Sequence, residues 1–353
     1  MRIAKILALV CCAAALSNAA GINMTAGKVE LKSAGALAMG PEGILLVGDS
    51  AGGKIVALDV DDAASKSSAS SVEIKGINEK IAAMLGTTAD QILIQDIVVS
   101  PQSKSVYLAV SRGRGADAAA VILRATAAGK LSEISLANIK HQAVSLSDQP
   151  QQDRQRVETI TQLKYLAGKV YVAGLSNEEF SSSLRAIPFP FNAADKGAGI
   201  EIWHGSHGRF ETNAPVRTFV PYEINGEKAI LAAYTCTPLV RIPVSELKPG
   251  NKVKGTTIAE LGAGNKPLDM IVYSKEGKNY ILMANSRRGV MKLTGDHLET
   301  YKPITTHTEI TGVPYETIAN LKGVQQLDKF DDSKVLVLMG EGASLDLVTV
   351  PLP

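Results

Sequence analysis

The segment from Trp203 to Asn213 holds the densest group of chemically reactive side chains in the sequence. It contains His204 and His207, two of the five histidines, together with Glu211 and the only tryptophan. Cys236 follows in the next β-rich unit, on the same side of the fold that we predict below. Imidazole, thiolate and carboxylate groups are the ligands that zinc and copper prefer. The pattern therefore predicts a metal site built from His204, His207, Glu211 and Cys236.

A purely structural role for the same residues stays open at the level of sequence. The two histidines lie in a Gly-rich loop and lack the i, i+4 helical spacing of zinc proteases, and no glutamate lies between them to act as a base. They could instead bond the loop backbone, with Cys236 as a small buried hydrophobic residue.

The first nineteen residues have the pattern of a secretory signal. Arg2 and Lys5 give a positive start, residues 6–16 are an apolar run of eleven, and Ser17-Asn18-Ala19 ends in small residues. A membrane-spanning helix needs about 20 apolar residues, and no segment of the chain supplies them. We predict residues 1–19 as a signal peptide and an exported product, periplasmic or extracellular, with no membrane span.

Removal of the predicted signal changes the charge balance. Residues 20–353 contain 35 basic and 35 acidic residues and one cysteine, Cys236. A neutral chain has no general attraction for nucleic acid or for anionic membranes. The lone cysteine cannot close an intramolecular disulfide, so core burial must hold the domain together, and 45% apolar residues make that feasible. The expected partners are a small molecule or another exported protein.

The elements that must position these residues are six β-rich units. Each unit has an apolar strand, a turn, a second strand that ends in small residues, a polar loop and a third strand. The turns are 51 to 64 residues apart, at Gly43, Lys104, Gly168, Gly226, Gly277 and Ser333. Such units cannot bury both faces alone and stack radially, which predicts an all-β, six-bladed β-propeller over residues 20–353. A β-sandwich, or a pair of them, is the alternative.

Two smaller features complete this prediction. The alternating segment 28–32 is predicted to be an N-terminal strand that closes the last blade. Ile77, Ile81, Ala82 and Leu85 have helical spacing and predict one short packed helix.

The segment "GALAMGPEGILLVGDSAGGKIVALD", residues 35–59, resembles one blade of the exported bacterial propellers related to the NHL, YVTN and gluconolactonase-like families. The resemblance implies a six-bladed propeller and no particular activity, because that architecture serves many functions. Gluconolactonase-like enzymes also suggest an axial calcium ion, for which Asp96, Asn213, Asn265 and Asp269 have suitable oxygen ligands. The chain departs from that family at residues 32–36, where no acidic ligand is present.

Propeller topology brings the loops before each inner strand and the loops between strands two and three to one face. The polar residues of these loops predict a ligand-binding funnel, formed by Asp96, Arg112, Asn213, Asn265, Asp269, Asn285, Arg287 and Arg288. We therefore expect a binding or scaffold protein. The alternative is a metal-dependent enzyme, either a lactonase-like hydrolase with calcium or a redox-linked protein with zinc or copper at the His/Cys site.

Overall fold

A computed structural model of the chain describes residues 22–62, 67–236, 238–340 and 342–353. The predicted signal segment lies outside these residues. Within them, no helix has the length and apolar character needed to cross a membrane.

The described residues are almost entirely β-structure. In the first half of the chain the strands are β1 (Thr25–Gly27), β2 (Leu37–Met39), β3 (Ile44–Asp49), β4 (Lys54–Asp59), β5 (Glu73–Ile74), β6 (Ile92–Val99), β7 (Val106–Arg112), β8 (Ala119–Ala125), β9 (Leu131–Glu133), β10 (Ile139–Ser145), β11 (Gln162–Leu166), β12 (Lys169–Leu175), β13 (Ser182–Pro188), β14 (Ala198–His204) and β15 (Arg209–Glu211). The second half contains β16 (Thr218–Ile224), β17 (Glu227–Ala233), β18 (Pro238–Pro243), β19 (Lys252–Lys254), β20 (Thr256–Leu261), β21 (Pro267–Lys275), β22 (Lys278–Asn285), β23 (Gly289–Thr294), β24 (Ile310–Gly312), β25 (Tyr315–Ile318), β26 (Val324–Lys329), β27 (Lys334–Met339) and β28 (Asp346–Pro351).

Short helices occupy a few connections. In the described part of the chain, two of these are α-helical, α1 (Ile77–Leu85) and α2 (Asp153–Arg156). Single 3-10 turns lie at Pro41–Gly43, Ala89–Gln91, Gly205–His207, Val244–Glu246 and Leu298–Thr300. Helix α1 confirms the predicted helical spacing, because Ile77, Ile81 and Ala82 are buried on one side of it.

These strands form six sheets, and the sheets are the blades of a β-propeller, as predicted. From the axis outward they are blade 1 (β2-β3-β4-β10-β1), blade 2 (β6-β7-β8-β9), blade 3 (β11-β12-β13-β14-β15), blade 4 (β16-β17-β18-β20-β24), blade 5 (β21-β22-β23-β25) and blade 6 (β26-β27-β28-β5). β19 adds a parallel strand beside β14 at the outer part of blade 3.

The blades do not follow one another around the ring in chain order. Six apolar clusters each join one pair of blades, and the pairs are 2–1, 1–3, 3–4, 4–5, 5–6 and 6–2. After β4 the chain crosses to β5 at the edge of blade 6, builds blade 2, and returns as β10 to complete blade 1. Blade 2 thus lies between blades 6 and 1.

This route corrects the predicted closure of the ring. The strand that completes blade 6 is β5, which pairs with β28 through Glu73↔Val348 and Ile74↔Leu347. Residues 28–32 form no ladder: Val29 donates one backbone hydrogen bond to Leu136 and is buried between blades 1 and 2. Alternating polar and apolar residues predict a half-buried extended segment. They do not specify which sheet edge that segment pairs with.

The hairpin turns between the inner two strands have the backbone that the sequence predicts. Ala167–Gly168, Asn225–Gly226 and Glu276–Gly277 each have two consecutive residues with positive φ. This is the type I′ turn, whose twist matches that of the flanking strands. Its glycine supplies the left-handed conformation that a side chain disfavours. These tight turns lie at one end of the propeller and leave the polar loops at the other.

Candidate functional site

The polar end of the propeller contains a cavity of about 570 Å³ on the central axis. This volume is in the range that holds a small-molecule ligand. Its wall includes the start of the inner strands and the segment before β2, with polar side chains from Lys32, Gln95, Asp96, Glu158, Gln162, Arg217, Lys266, Asp269 and Gln326.

Asp96 and Asp269, both predicted funnel residues, line this cavity and also join the blades. Asp96 Oδ2 accepts a hydrogen bond of 2.7 Å from the backbone N–H of Leu37 in blade 1. Asp269 Oδ2 accepts one of 3.1 Å from Leu327 in blade 6, and its Oδ1 accepts one of 3.2 Å from Gln162 across the channel. Buried carboxylates are tolerated here because backbone and amide donors satisfy them.

Deeper in the channel, Lys164 and Asp328 add two charged groups. Burial raises the pKa of Asp96 well above its ordinary value, and the charge of Asp269 raises it further. Burial also raises the pKa of Asp269 and of Asp328, while the positive charge of Lys164 opposes the shift in both. Burial lowers the pKa of Lys164, but the carboxylates of Asp269, Asp328 and Asp96 outweigh it, and the pKa rises. Lys164 is therefore a cation at neutral pH.

The mouth of the cavity carries positive charge. Arg217 forms an ion pair with Glu158, and its Nε donates to Thr235 Oγ1 at 3.0 Å. Burial lowers the pKa of Lys266, and the neighbouring charge of Arg217 lowers it further, because two cations repel each other. Lys32 also lies on this wall. Among the described lining residues, Lys32, Arg217 and Lys266 are cations and Glu158 is paired with Arg217, so the mouth keeps a positive charge that favours an anionic group.

The predicted His/Cys cluster is assembled at the same end of the molecule but away from the cavity wall. His204 ends β14, His207 lies in the following 3-10 turn, and Cys236 connects β17 to β18 in the next blade. One nitrogen of each imidazole and the Cys236 Sγ all lie within 4.8 Å of one another. The two imidazole rings stack with centroids 3.8 Å apart.

Glu211 binds both histidines through one carboxylate. Its Oε2 lies 2.7 Å from His204 Nδ1, and its Oε1 lies 2.8 Å from His207 Nδ1 and 3.0 Å from Arg209 Nε. Burial raises the pKa of Glu211, yet the bonds from His207, His204 and Arg209 outweigh it and hold the pKa at about 2. Burial lowers the pKa of His204, so this imidazole is neutral at pH 7.

His204 Nε2 is buried and has no hydrogen-bond partner among the described residues. An unsatisfied polar atom of this kind costs about 1–3 kcal/mol. A nitrogen that is left free at such a cost, beside a second imidazole and a thiol, is suited to a metal ion.

Cys236 has a left-handed backbone with φ of 61°. That conformation costs about 1–2 kcal/mol for a residue other than Gly, Asn or Asp. It is held by a 2.8 Å hydrogen bond from the Cys236 N–H to the Asn265 carbonyl, and Asn265 Oδ1 in turn accepts one of 2.6 Å from Asn285. Strained residues of this type concentrate at functional positions.

Glu260, at the end of β20, lies against the turn that carries the histidines. Its Oε1 accepts a hydrogen bond of 2.6 Å from the Gly205 N–H. Burial raises the pKa of Glu260 to about 7, although the Gly205 and Ser206 amides oppose the shift. Its Oε2 and the Ser206 hydroxyl are both buried with no partner among the described residues.

The other predicted funnel residues lie elsewhere. Arg112 ends β7 and is exposed, and Asn213 is also exposed. Asn285 Oδ1 accepts the backbone N–H groups of Arg287 and Arg288 at 3.1 Å each, which shapes that loop. The single predicted funnel is thus divided into a cavity, a His/Cys cluster and a loop network, because side chains on one face of a propeller spread over its full width.

The calcium ligand set is not brought together. Asp96 and Asp269 line the cavity, but Asn213 and Asn265 do not, and the Lys164 ammonium lies among the acids. The Asn265 side-chain amide donates its hydrogen bonds to the Gly262 and Ala263 carbonyls. A calcium ion needs six to eight oxygen ligands from residues that converge on one point, and these four residues do not converge.

The sequence did not point to Lys164, Asp328 or Glu260. Each lies within a strand, where a charged residue in an alternating pattern is usually read as facing solvent. Lys164 and Asp328 instead face a polar channel, and Glu260 faces a neighbouring blade. For Lys164 and Asp328 the available signal was a charged residue on the innermost strand of a blade, which faces the central channel. Glu260 lies on the fourth strand of blade 4, and no such signal marks it.

No family model and no curated protein sequence matches the chain, but solved propellers do. A proposed oxidoreductase (glucose dehydrogenase) from Thermus thermophilus is 13% identical, with 94% of this chain and 100% of that chain covered at a TM-score of 0.41. The PQQ-bound aldose sugar dehydrogenase of Streptomyces coelicolor is 11% identical, with 93% and 98% covered and a TM-score of 0.35. The protein is a six-bladed β-propeller, and its resemblance to the NHL, YVTN and gluconolactonase-like group stays a prediction.

Proposed function

We propose that this propeller is an exported binding protein that holds a small, hydroxyl-rich, anionic molecule in its central cavity. The observation that carries the proposal is the arrangement of charge along the axis. Arg217 and Lys266 lie together at the mouth, and buried acids lie below them. An anionic group at the mouth would relieve the repulsion between the two cations.

The floor of the cavity suits hydroxyl groups. Burial raises the pKa of Asp269 to about 6, so this group can donate as an acid or accept as a carboxylate near neutral pH. Burial also raises the pKa of Asp96, which favours its protonated, donating form. Gln95 and Gln326 add side-chain amides to the cavity wall, whereas the amide of Gln162 is already bonded to Asp269, Thr218 and Phe219. A ligand with an anionic end and a hydroxylated chain matches this order of groups from mouth to floor.

Three six-carbon polyhydroxyl compounds of similar mass and different charge test this proposal. Gluconate, glucose and glucosamine are titrated into residues 20–353 by isothermal calorimetry. We expect gluconate to bind at least 10-fold more tightly than glucose, and glucosamine to bind most weakly. Equal affinity for all three, or no binding of any, would overturn the proposal and leave a protein partner as the ligand.

A pair of lysine variants locates the site. Lys266→Met removes a cation from the mouth and should weaken gluconate binding at least 10-fold. Lys278→Met removes an exposed lysine from the opposite end, at the β21–β22 hairpin, and should leave the affinity unchanged. The same loss in both variants would show that the charge of the mouth is not recognised.

Export is a separate part of the proposal and has its own test. Expression in a host with a general secretion pathway should give a product that begins at residue 20, as measured by intact mass. A product that retains residues 1–19 would contradict the signal-peptide prediction.

A metal-dependent hydrolase is a second candidate. The observation that favours it is a group of three unpartnered buried polar atoms around one turn, counted among the described residues: His204 Nε2, Ser206 Oγ and Glu260 Oε2. Zinc-loaded protein should then hydrolyse an activated ester such as p-nitrophenyl acetate. Glu260→Gln should slow it about 100-fold if Glu260 is a general base. Equal rates with and without zinc would exclude this candidate.

A further inference from the structure

The His204, His207 and Cys236 side chains reach one point from two blades. The two histidines come from the end of β14 and the turn behind it, and Cys236 comes from the β17–β18 connection. One nitrogen of each imidazole and the Cys236 Sγ lie within 4.8 Å of one another. Ligand atoms that are each about 2.0–2.3 Å from a tetrahedral zinc ion are about 3.5 Å apart. The three side chains therefore need to move together by up to about 1 Å to bind one metal ion.

Glu211 selects the nitrogen that each histidine presents. A carboxylate can only accept, so both Nδ1 atoms donate their hydrogen to Glu211 at 2.7 and 2.8 Å. A neutral imidazole with Nδ1 protonated carries its lone pair on Nε2. In metalloproteins a ligating histidine almost always donates its other N–H to a carboxylate, carbonyl or water. Here one carboxylate does so for two histidines.

Burial and strain support the same assignment independently. The His204 side chain is 2% exposed, and its Nε2 is unpartnered among the described residues. The Cys236 backbone is left-handed, and its N–H donates to the Asn265 carbonyl. This hydrogen bond fixes the position of the Cys236 backbone from which the thiol extends.

We propose that His204 Nε2, His207 Nε2 and Cys236 Sγ bind a single zinc or copper ion, with Glu211 as the positioning residue for both histidines. Imidazole with thiolate is a donor set for Zn²⁺ and for copper, not for calcium or magnesium. This proposal changes the role of Glu211, which the sequence predicted as a ligand, to that of a hydrogen-bond acceptor behind the ligands.

Three protein ligands leave one coordination position of a tetrahedral ion open. The His207 side chain is 40% exposed, so this position can be reached from solvent. Water or a small anion is the expected fourth ligand. The site is independent of the central cavity, and either one can fail without the other.

Elemental analysis of residues 20–353, purified without chelator, is the first test. We expect one equivalent of zinc or copper, and its loss in Cys236→Ser and in the His204→Ala/His207→Ala variant. His297→Gln, which removes a remote exposed histidine, is the matched control and should retain the metal. Metal retained by Cys236→Ser, or none bound after incubation with Zn²⁺ and with Cu⁺, would overturn the site.

The positioning role of Glu211 needs a separate readout. Glu211→Gln should weaken zinc affinity 10- to 100-fold. Cobalt substituted into this variant should keep its thiolate-to-metal absorption band, because Cys236 still binds. Loss of the band together with the affinity would mean that Glu211 maintains the fold of the turn and does not orient the ligands.

Alkylation of the wild-type thiol provides a test that does not depend on folded variants. Zn²⁺ should slow the reaction of Cys236 with iodoacetamide at least 10-fold, since a metal-bound thiolate is a poor nucleophile. Mg²⁺ at the same concentration should have no effect. Equal rates with and without Zn²⁺ would refute thiolate coordination.

Discussion

Replacement of Glu260 by glutamine should remove a specific pH dependence from the stability of the propeller. Glu260 is fully buried, and burial raises its pKa in the folded protein to about 7, against an ordinary value of 4.5. Between these two values the folded state holds a proton that the unfolded state has released. The contribution of Glu260 to stability is therefore complete below pH 4.5 and is lost as pH rises through 7.

The size of this effect follows from the two pKa values. Proton linkage gives a loss of about 2.5 kcal/mol in the free energy of unfolding between pH 5 and pH 8. Glutamine keeps an oxygen to accept the Gly205 N–H and has no proton to lose. Relative to the wild type, Glu260→Gln should therefore gain about 2.5 kcal/mol in the free energy of unfolding between pH 5 and pH 8.

Urea denaturation followed by the fluorescence of Trp203 measures both proteins at pH 5, 6, 7 and 8. A chelator is included so that metal binding does not contribute. Glu223→Gln, which removes an exposed carboxylate on β16 and leaves Glu260 in place, is the matched control. A constant difference for Glu260→Gln would refute the reasoning, because it would place the folded pKa of Glu260 near its ordinary value.

Three further predictions concern the fold around the sites. Arg185→Met should lower the free energy of unfolding, measured by urea denaturation, by about 3–5 kcal/mol, because it leaves the buried Asp148 charge unpaired. A second change, Asp148→Leu, should recover most of this loss, and no recovery would contradict the ion-pair explanation. Cys236→Gly should raise the stability of the metal-free protein by about 1 kcal/mol in thermal denaturation, because glycine adopts the left-handed backbone without strain. A lower stability of the variant would show that the packing of the Cys236 side chain contributes more free energy than the backbone strain costs. Ile74→Ala should cost about 2–5 kcal/mol in chemical denaturation, since Ile74 is 2% exposed in the strand that completes blade 6, and a cost below about 0.5 kcal/mol would mean that β5 does not close the ring.

The two candidate sites differ in how far the sequence could predict them. The sequence places His204, His207, Glu211 and Cys236 near one another because three of them are close in the chain and the fourth follows from propeller topology, and these side chains do lie together in the structure. Their binding of a metal ion stays a prediction. Their roles needed coordinates: only the contacts of Nδ1 with Glu211 show which nitrogen is free. Asp96 and Asp269 were also identified, but their charged neighbours Lys164 and Asp328 were not.

The local structure of this protein can be read from its amino-acid sequence. Alternating apolar residues, Asn-Gly and Glu-Gly turns and a period of 51 to 64 residues specify hairpins and six blades, because these depend on side-chain periodicity and backbone φ within a few residues. The order of the blades around the ring, the closing strand β5 and the charges on the axis emerge only in the folded chain. Those features depend on which strand edges and side chains, distant in the sequence, pair with each other. The local periodicity of a strand does not specify its partner.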